Sequence, residues 1–309
     1  MTIYTPTPLL RSPPLSALSG RNIYLKYEVL QPSGSFKDRG IGALCEFYAN
    51  QSVLRFISSS GGNAGIAVAY ASQILQIPAT IILPSTTPNI IIDKLDLLKA
   101  TVIIQGDNWN ESDKIAQDMA KIPDVAYIPP FNHPVIWAGY ESIITELQAT
   151  GIKPDAIIVS VGGGGLFSGL VQGLDKIGWQ DVALITAETQ GAASFAAAMQ
   201  AHKRVILDHI NTVATTLGAK QICERAFALA QTHQVYPQIL TDQAVIQACL
   251  RFSNDHRILV EPACAAALAV IYEQHEILKK FHNIVVILCG GSGVSVDLLE
   301  QWKKKYCPS

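Results

Sequence analysis

One lysine, Lys37, stands in the run QPSGSFKDRG (residues 31–40), directly behind an aromatic residue and a glycine-serine turn. A lysine amine attacks carbonyls when burial or a neighbouring cation lowers its pKa enough to expose the free base. Taken alone, the run also fits an ordinary solvated lysine in the first turn of a helix, so its chemistry depends on what else the chain supplies. Three further stretches supply it: SSSGGNAG (58–65), GGGG (162–165) and CGGSG (289–293), each directly behind an apolar run. Uncovered amides at a helix start form an anion site. In the first stretch Asn63 can bond a ligand or cap the helix that follows, and a plain strand-to-helix turn fits equally well. In the second, four glycines lose much backbone entropy on folding, and their position between two strong elements favours a phosphate nest over a flexible linker.

The elements that must position these residues alternate along the chain. After a proline-rich, extended opening at 5–14, residues 22–28 read as a short strand and 41–50 as a helix. Strands at 53–58, 79–83, 101–105 and 125–128 then alternate with helices at 64–75, about 88–99 and 112–121. Three prolines exclude regular structure from 128–134, which suits a crossing between domains, and 135–149 reads as one amphipathic helix. The alternation restarts with a strand at 155–161, a helix at 166–176 and a strand at 183–187 that ends at Glu188. Helices at 194–200 and 221–232, further helices, and a strand at 283–288 complete the series. All three glycine junctions fall at the carboxyl ends of strands, where open parallel sheets bind ligands.

Composition excludes several classes. The chain has 309 residues, is 49% hydrophobic and 16% charged, and carries a net charge of -2, which suits a globular protein with a large core. The basic run Lys303 to Lys305 reads as a solvated helix end, and nothing suggests a nucleic-acid partner. The amino terminus does not resemble a leader, and the longest apolar run, 263–272, is too short for a bilayer, so no membrane association is expected and the protein reads as cytoplasmic. Six cysteines lie far apart without a CxxC pair, which argues against a disulfide framework or zinc and for small buried apolar residues.

A lysine able to form a Schiff base, joined to a phosphate nest, is the constellation expected for pyridoxal phosphate. At this point the residues resemble a family. PSGSFKDRG, SSGGNAG, SVGGGGL, LVEPACAAAL and ILCGGSG resemble the fold type II pyridoxal-phosphate enzymes, specifically the serine/threonine dehydratase branch, along nearly the whole chain. YIPPFNHPVIWAGYESI (127–143) and AETQGAASF (187–195) look most like the serine dehydratases. The resemblance implies an α/β fold like the tryptophan synthase beta chain, with parallel-rich twisted sheets flanked by helices. It implies a small domain at 32–134 and a large cofactor-binding domain at 1–31 plus 135–309, with the cofactor in the cleft, and a homodimer.

The resemblance also assigns residues. Lys37 would hold the cofactor and then remove the substrate's α-proton, with Phe36 against the pyridine ring and Asn63 bonded to its phenolic oxygen. Ser60, Gly61, Gly62, Asn63 and Ala64 would surround the substrate carboxylate. Gly162, Gly163, Gly164 and Gly165 would hold the phosphate, and Cys289 would face the pyridine nitrogen. A neutral group there, unlike a carboxylate, does not keep the nitrogen protonated. The implied reaction is loss of the hydroxyl of L-serine or L-threonine, giving a 2-oxo acid and ammonia. Gly162, Glu188, Ala192, Ser194 and Leu217 match the family's monovalent-cation site, for potassium, and their oxygen donors suit a hard cation. As an isolated residue, Glu188 also reads as an exposed acid after a strand.

Two residues depart from the nearest pattern. Gly61 stands where many dehydratases carry alanine or serine, which would leave space beside the reacting centre. Asp38 gives SFKDRG a likeness to threonine synthases and keeps a β-replacement enzyme as a rival. A nicotinamide-dinucleotide protein is disfavoured because no GxGxxG can be written across 162–169. A non-catalytic protein that binds nucleotide or pyridoxal phosphate is a further alternative, disfavoured by the intact Lys37.

Overall fold

The computed structural model of the protein describes residues 2–307. The chain packs as two compact units, one made of the residues up to Thr5 with Gln31–Tyr140, the other of Pro6–Leu30 with the chain from Glu141 onward. Each unit is an α/β assembly around one sheet.

In the first unit four parallel strands lie in the order Thr101–Ile104, Ala79–Leu83, Arg55–Ser58, Val125–Tyr127. Strands covered on both faces by helices read as continuous apolar runs, and ATIIL at Ala79–Leu83 is buried at every position. The register sets Ser58 opposite Ile81, so the turns after these two strands leave from one edge of the sheet. The helix Lys37–Ala49 packs against the helices Asn63–Leu75 and Pro134–Tyr140. Its approach to Pro134–Tyr140 depends on Gly40, where an added Cβ would lie 2.6 Å from the Ile136 carbonyl and from the Tyr140 ring. This helix begins at Lys37 itself rather than at Ile41 as the sequence suggests. Asp38, fully buried in the first turn, accepts the Ser33 N–H at 2.8 Å and closes the preceding turn, with Gly34 at φ 87°.

The expected single helix over 135–149 is two, Pro134–Tyr140 and Ser142–Ala149, and the boundary between the units falls at the break. Gly139 weakens the helix here by roughly 1 kcal/mol relative to alanine. The glycine is kept because a Cβ would lie 2.6 Å from the Arg39 carbonyl.

The second unit is built on six strands in the order Leu9–Arg11, Asn22–Lys26, Asn283–Ile287, Ala156–Ser160, Ala183–Thr189, Val235–Leu240. The first pair is antiparallel and the rest are parallel. The helix Pro262–Tyr272 has every residue buried and packs on four of these strands. A helix apolar all round belongs in a core, and its alanines let it approach the sheet closely. Leu9–Arg11 and Val235–Leu240 were not read from the sequence. Leu9–Arg11 is only three residues long, amid prolines. Pro237 interrupts the other, which the sheet tolerates because that strand is an edge.

No described helix is long and apolar enough to cross a membrane. Lys303, Lys304 and Lys305 occupy the exposed last turn of the helix Val296–Tyr306, as expected.

Candidate active site

The first unit carries the lysine. Lys37 is the first residue of its helix, half-buried, and its Nζ donates to the Pro130 carbonyl at 2.5 Å. The amine also lies 5.0 Å from the centroid of the Phe36 ring, which itself packs on Tyr140 at 5.0 Å. The acceptor comes from the proline-broken segment 128–134, which the sequence marks only as irregular. A main-chain carbonyl leaves no signature in residue type, so Pro130 was missed.

The loop 59–63 leaves the carboxyl end of the strand Arg55–Ser58 and enters the helix Asn63–Leu75. Asn63 is buried at the first helical position, and no side chain caps the helix. The first amides of an α-helix have no intrahelical acceptor. Ser60, Gly61, Gly62, Asn63 and Ala64 therefore form one uncapped turn. Gly61 does not leave open space, contrary to the expectation. An added Cβ would meet Thr87 at 2.9 Å from its Oγ1 and 3.2 Å from its Cγ2, so Thr87, from the neighbouring turn on the same sheet edge, already fills the volume.

The second unit carries the four-glycine loop. Gly164, the residue before the helix Gly165–Lys176, has φ 87° and no side chain caps this helix either. A Cβ there would lie 2.5 Å from Ala226 Cβ, so glycine is required both for backbone conformation and for space. The Gly163 carbonyl accepts the Cys223 N–H at 2.9 Å, which fixes the loop. Cys289 follows the adjacent strand Asn283–Ile287, and the pairing of Val286 with Ile158 brings it to the same sheet edge as the glycine loop. Its thiol is buried, and the neighbouring Cys264 thiol together with burial pushes it well above the ordinary thiol range. It is a neutral group. Glu261, to which the sequence motifs give no role, is buried beside this region and accepts from Thr216 Oγ1 at 2.8 Å and from the Gly293 N–H at 3.1 Å. A glutamate before a proline at the start of an apolar helix was the available signal.

Glu188 is not the exposed acid after a strand that its sequence context allows. It lies inside Ala183–Thr189, fully buried, because the strand runs two residues past Ala187. Burial pushes its carboxyl up to about 7, although the Phe195 and Ala196 N–H groups, each at 2.7 Å, pull the other way. Those bonds bring Glu188 to the start of the helix Ser194–Ala201, where the buried Ser194 hydroxyl has no hydrogen-bond partner among the described residues. Ala192 is buried just before this helix. Gly162 adjoins Leu217, whose carbonyl would lie 3.3 Å from a Cβ at Gly162. A separate cavity of about 320 Å³ in this unit is lined by Gln190, Ala193, Gln200, Asp208 and others, and includes neither the glycine loop nor Cys289.

Residues 1–290 match the family described as pyridoxal-phosphate dependent enzyme. The chain belongs to the pyridoxal-phosphate dependent enzymes. It is 45% identical over 314 residues to the human protein named L-serine dehydratase/L-threonine deaminase, spanning 98% of this chain and 95% of that one. Among solved structures it is similar to a fungal L-serine ammonia-lyase from Rhizomucor miehei, with a TM-score of 0.94, 35% identity, and coverage of 99% of this chain and 100% of that one. The processed threonine deaminase isoform 2 from Solanum lycopersicum matches with a TM-score of 0.90 and 28% identity, over 98% of this chain and 88% of that one. The fold is therefore that of the fold type II pyridoxal-phosphate enzymes.

In each unit the donors present suit one part of the family's cofactor. An aldehyde needs an amine, and Lys37 supplies one withdrawn onto an aromatic face. A phosphate needs converging amides, and the loop at Gly164 has room for no side chain of its own. A pyridine nitrogen faced by Cys289 would meet a neutral thiol.

Proposed function

We propose that this pyridoxal-phosphate dependent enzyme is an L-serine ammonia-lyase that also accepts L-threonine, converting them to pyruvate or 2-oxobutanoate with release of ammonia. The observation that carries the proposal is the Lys37 amine, held by the Pro130 carbonyl over the Phe36 ring. It does so in a chain that matches a serine dehydratase relative over 98% of its length.

Lys37 would bind the cofactor aldehyde, Gly162, Gly163, Gly164 and Gly165 its phosphate, Asn63 its phenolic oxygen, and Phe36 would pack on its ring. When bound, pyridoxal phosphate supplies the electron sink that acidifies the substrate's α-hydrogen. Lys37 Nζ, once free, is the base that takes that proton, held in place by the Pro130 carbonyl. The turn Ser60, Gly61, Gly62, Asn63 and Ala64 receives the substrate carboxylate on uncapped amides. Cys289, kept neutral, places no negative charge at the ring nitrogen, which suits elimination of the hydroxyl over transamination. Gly162, Glu188, Ala192, Ser194 and Leu217 would hold potassium, a role supported by the buried Ser194 hydroxyl and the Glu188 carboxylate at one helix start. We assign the enzyme to the cytoplasm as a homodimer, a compartment in keeping with six free thiols.

Borohydride reduction of the purified yellow protein followed by peptide mass analysis tests the site, with the adduct expected on Lys37. Pyruvate release from L-serine, set against threonine formation from phosphohomoserine, tests the reaction. Threonine formation as the dominant activity would replace the proposal with a β-replacement enzyme. Asp38 gives that alternative no support, since its buried carboxylate closes the turn before Lys37.

A further inference from the structure

Asp113 is a buried carboxylate in the helix Trp109–Met119, a residue without an assigned role so far. No lysine, arginine or histidine pairs with it among the described residues. Instead Ser59 Oγ donates to its Oδ1 at 2.5 Å, Tyr127 Oη donates to the same oxygen, and Gln117 Nε2 donates to Oδ2 at 2.7 Å. A buried carboxyl group left without hydrogen bonds is costly, and this one accepts three.

The two donors to Oδ1 lead to different parts of the candidate site. Ser59 immediately precedes Ser60, the first residue of the turn assigned to the substrate carboxylate. Tyr127 ends the strand Val125–Tyr127, three residues before Pro130, whose carbonyl holds the Lys37 amine. The segment between is tied to the same sheet edge, where Ile128 N–H donates to Ile57 O at 2.7 Å and Ser58 Oγ donates to Ile128 O at 3.0 Å. One carboxylate oxygen thus grips both the start of the substrate turn and the strand end that leads to the lysine's acceptor.

We propose that Asp113 is a positioning residue that sets the Lys37 amine in register with the substrate-carboxylate turn, through Ser59 on one side and Tyr127 on the other. The proposal rests on the ammonia-lyase function, and its test separates the two. Each arm can be cut by removing one hydroxyl. Ser59→Ala is expected to raise KM for L-serine roughly tenfold with kcat little changed, and Tyr127→Phe to lower kcat roughly tenfold with KM little changed, each the effect of losing a hydrogen bond to a charged group. Asp113→Ala should show both effects. Asp113→Asn, which keeps Oδ1 as an acceptor, should restore most of each.

Hydrogen exchange of the holoenzyme, read by mass spectrometry, supplies a measure independent of turnover. Faster exchange is expected in 60–64 for Ser59→Ala, in 128–131 for Tyr127→Phe, and in both for Asp113→Ala. The proposal is overturned if the single variants lose thermal stability without this division between segments, or if Asp113→Ala leaves both segments protected. If the enzyme proves inactive on hydroxyamino acids, the function falls, while the exchange pattern still decides the role of Asp113.

Discussion

Replacing Gly164 with alanine tests the anion cradle through two costs that the structure separates. At φ 87° an alanine occupies the left-handed region, at about 1–2 kcal/mol. Its Cβ would also lie 2.5 Å from Ala226 Cβ, far inside contact distance, and overpacking of this kind costs about 1–3 kcal/mol. A gain of about 0.4–1 kcal/mol from the stiffer unfolded chain offsets part of this. The net penalty is therefore about 1–5 kcal/mol. The loop can keep its shape, in which case the loss appears as stability, or it can shift, in which case the amides leave their positions and the loss appears as weaker cofactor binding at about 1.4 kcal/mol per tenfold.

The two losses should sum to the penalty. Urea denaturation of the resolved apoprotein measures the first, and titration with pyridoxal phosphate measures the second. Ala226→Gly removes the clashing atom but not the backbone strain, and by itself costs about 1 kcal/mol of helix propensity. Combined with Gly164→Ala it should recover about 1–3 kcal/mol, a coupling that a double-mutant cycle reads directly. A summed loss near zero for Gly164→Ala, or strict additivity of the two substitutions, would refute a phosphate cradle built on this contact.

Lys37→Ala should abolish pyruvate release from L-serine and the visible absorbance of the bound cofactor, and retained turnover would exclude Lys37 as the base. Gly61→Ala should lower stability by about 1–3 kcal/mol through overpacking against Thr87, and Thr87→Ala in the same chain should restore most of it; no recovery would mean that the new methyl meets something else. Glu188 binds its proton more tightly when folded than when unfolded, so its contribution to stability falls as pH rises from about 4.5 to about 7, by roughly 3 kcal/mol. In potassium-free buffer the wild type should therefore lose stability relative to Glu188→Gln between pH 5 and pH 8. Added potassium should restore the difference in the wild type only, and an equal response in both chains would remove Glu188 from the cation site.

Much of the fold was legible because parallel strands buried on both faces leave continuous apolar runs. Ala79–Leu83 was read to the residue, and Arg55–Ser58 and Asn283–Ile287 to within two. What failed did so for tertiary reasons. The helix Lys37–Ala49 starts four residues early because Asp38 is buried against the turn that its own carboxylate closes, which propensity does not register. Val235–Leu240 is a strand despite Pro237 because sheet position, not composition, decides whether a missing donor matters. Glu188 looked exposed because the strand's end could not be placed, and a difference of two residues moved a carboxylate from solvent to the core.

The same limit explains which polar residues were visible. Lys37, Gly164 and Cys289 belong to motifs whose residue types already suggest chemistry. Asp113, Tyr127 and Ser59 are spread over 54 and 14 residues of separation, and each alone is an ordinary helix acid, strand aromatic or turn serine. Only the sheet brings them together, since Ser59 follows one strand and Tyr127 ends its parallel neighbour. A parallel sheet gathers strand ends from distant parts of the chain at a single edge, and a buried carboxylate at that edge can hold two of them with one oxygen. Residues that touch a ligand are constrained in type and leave a motif. Residues that hold those groups in place are constrained in position, which a single sequence does not display.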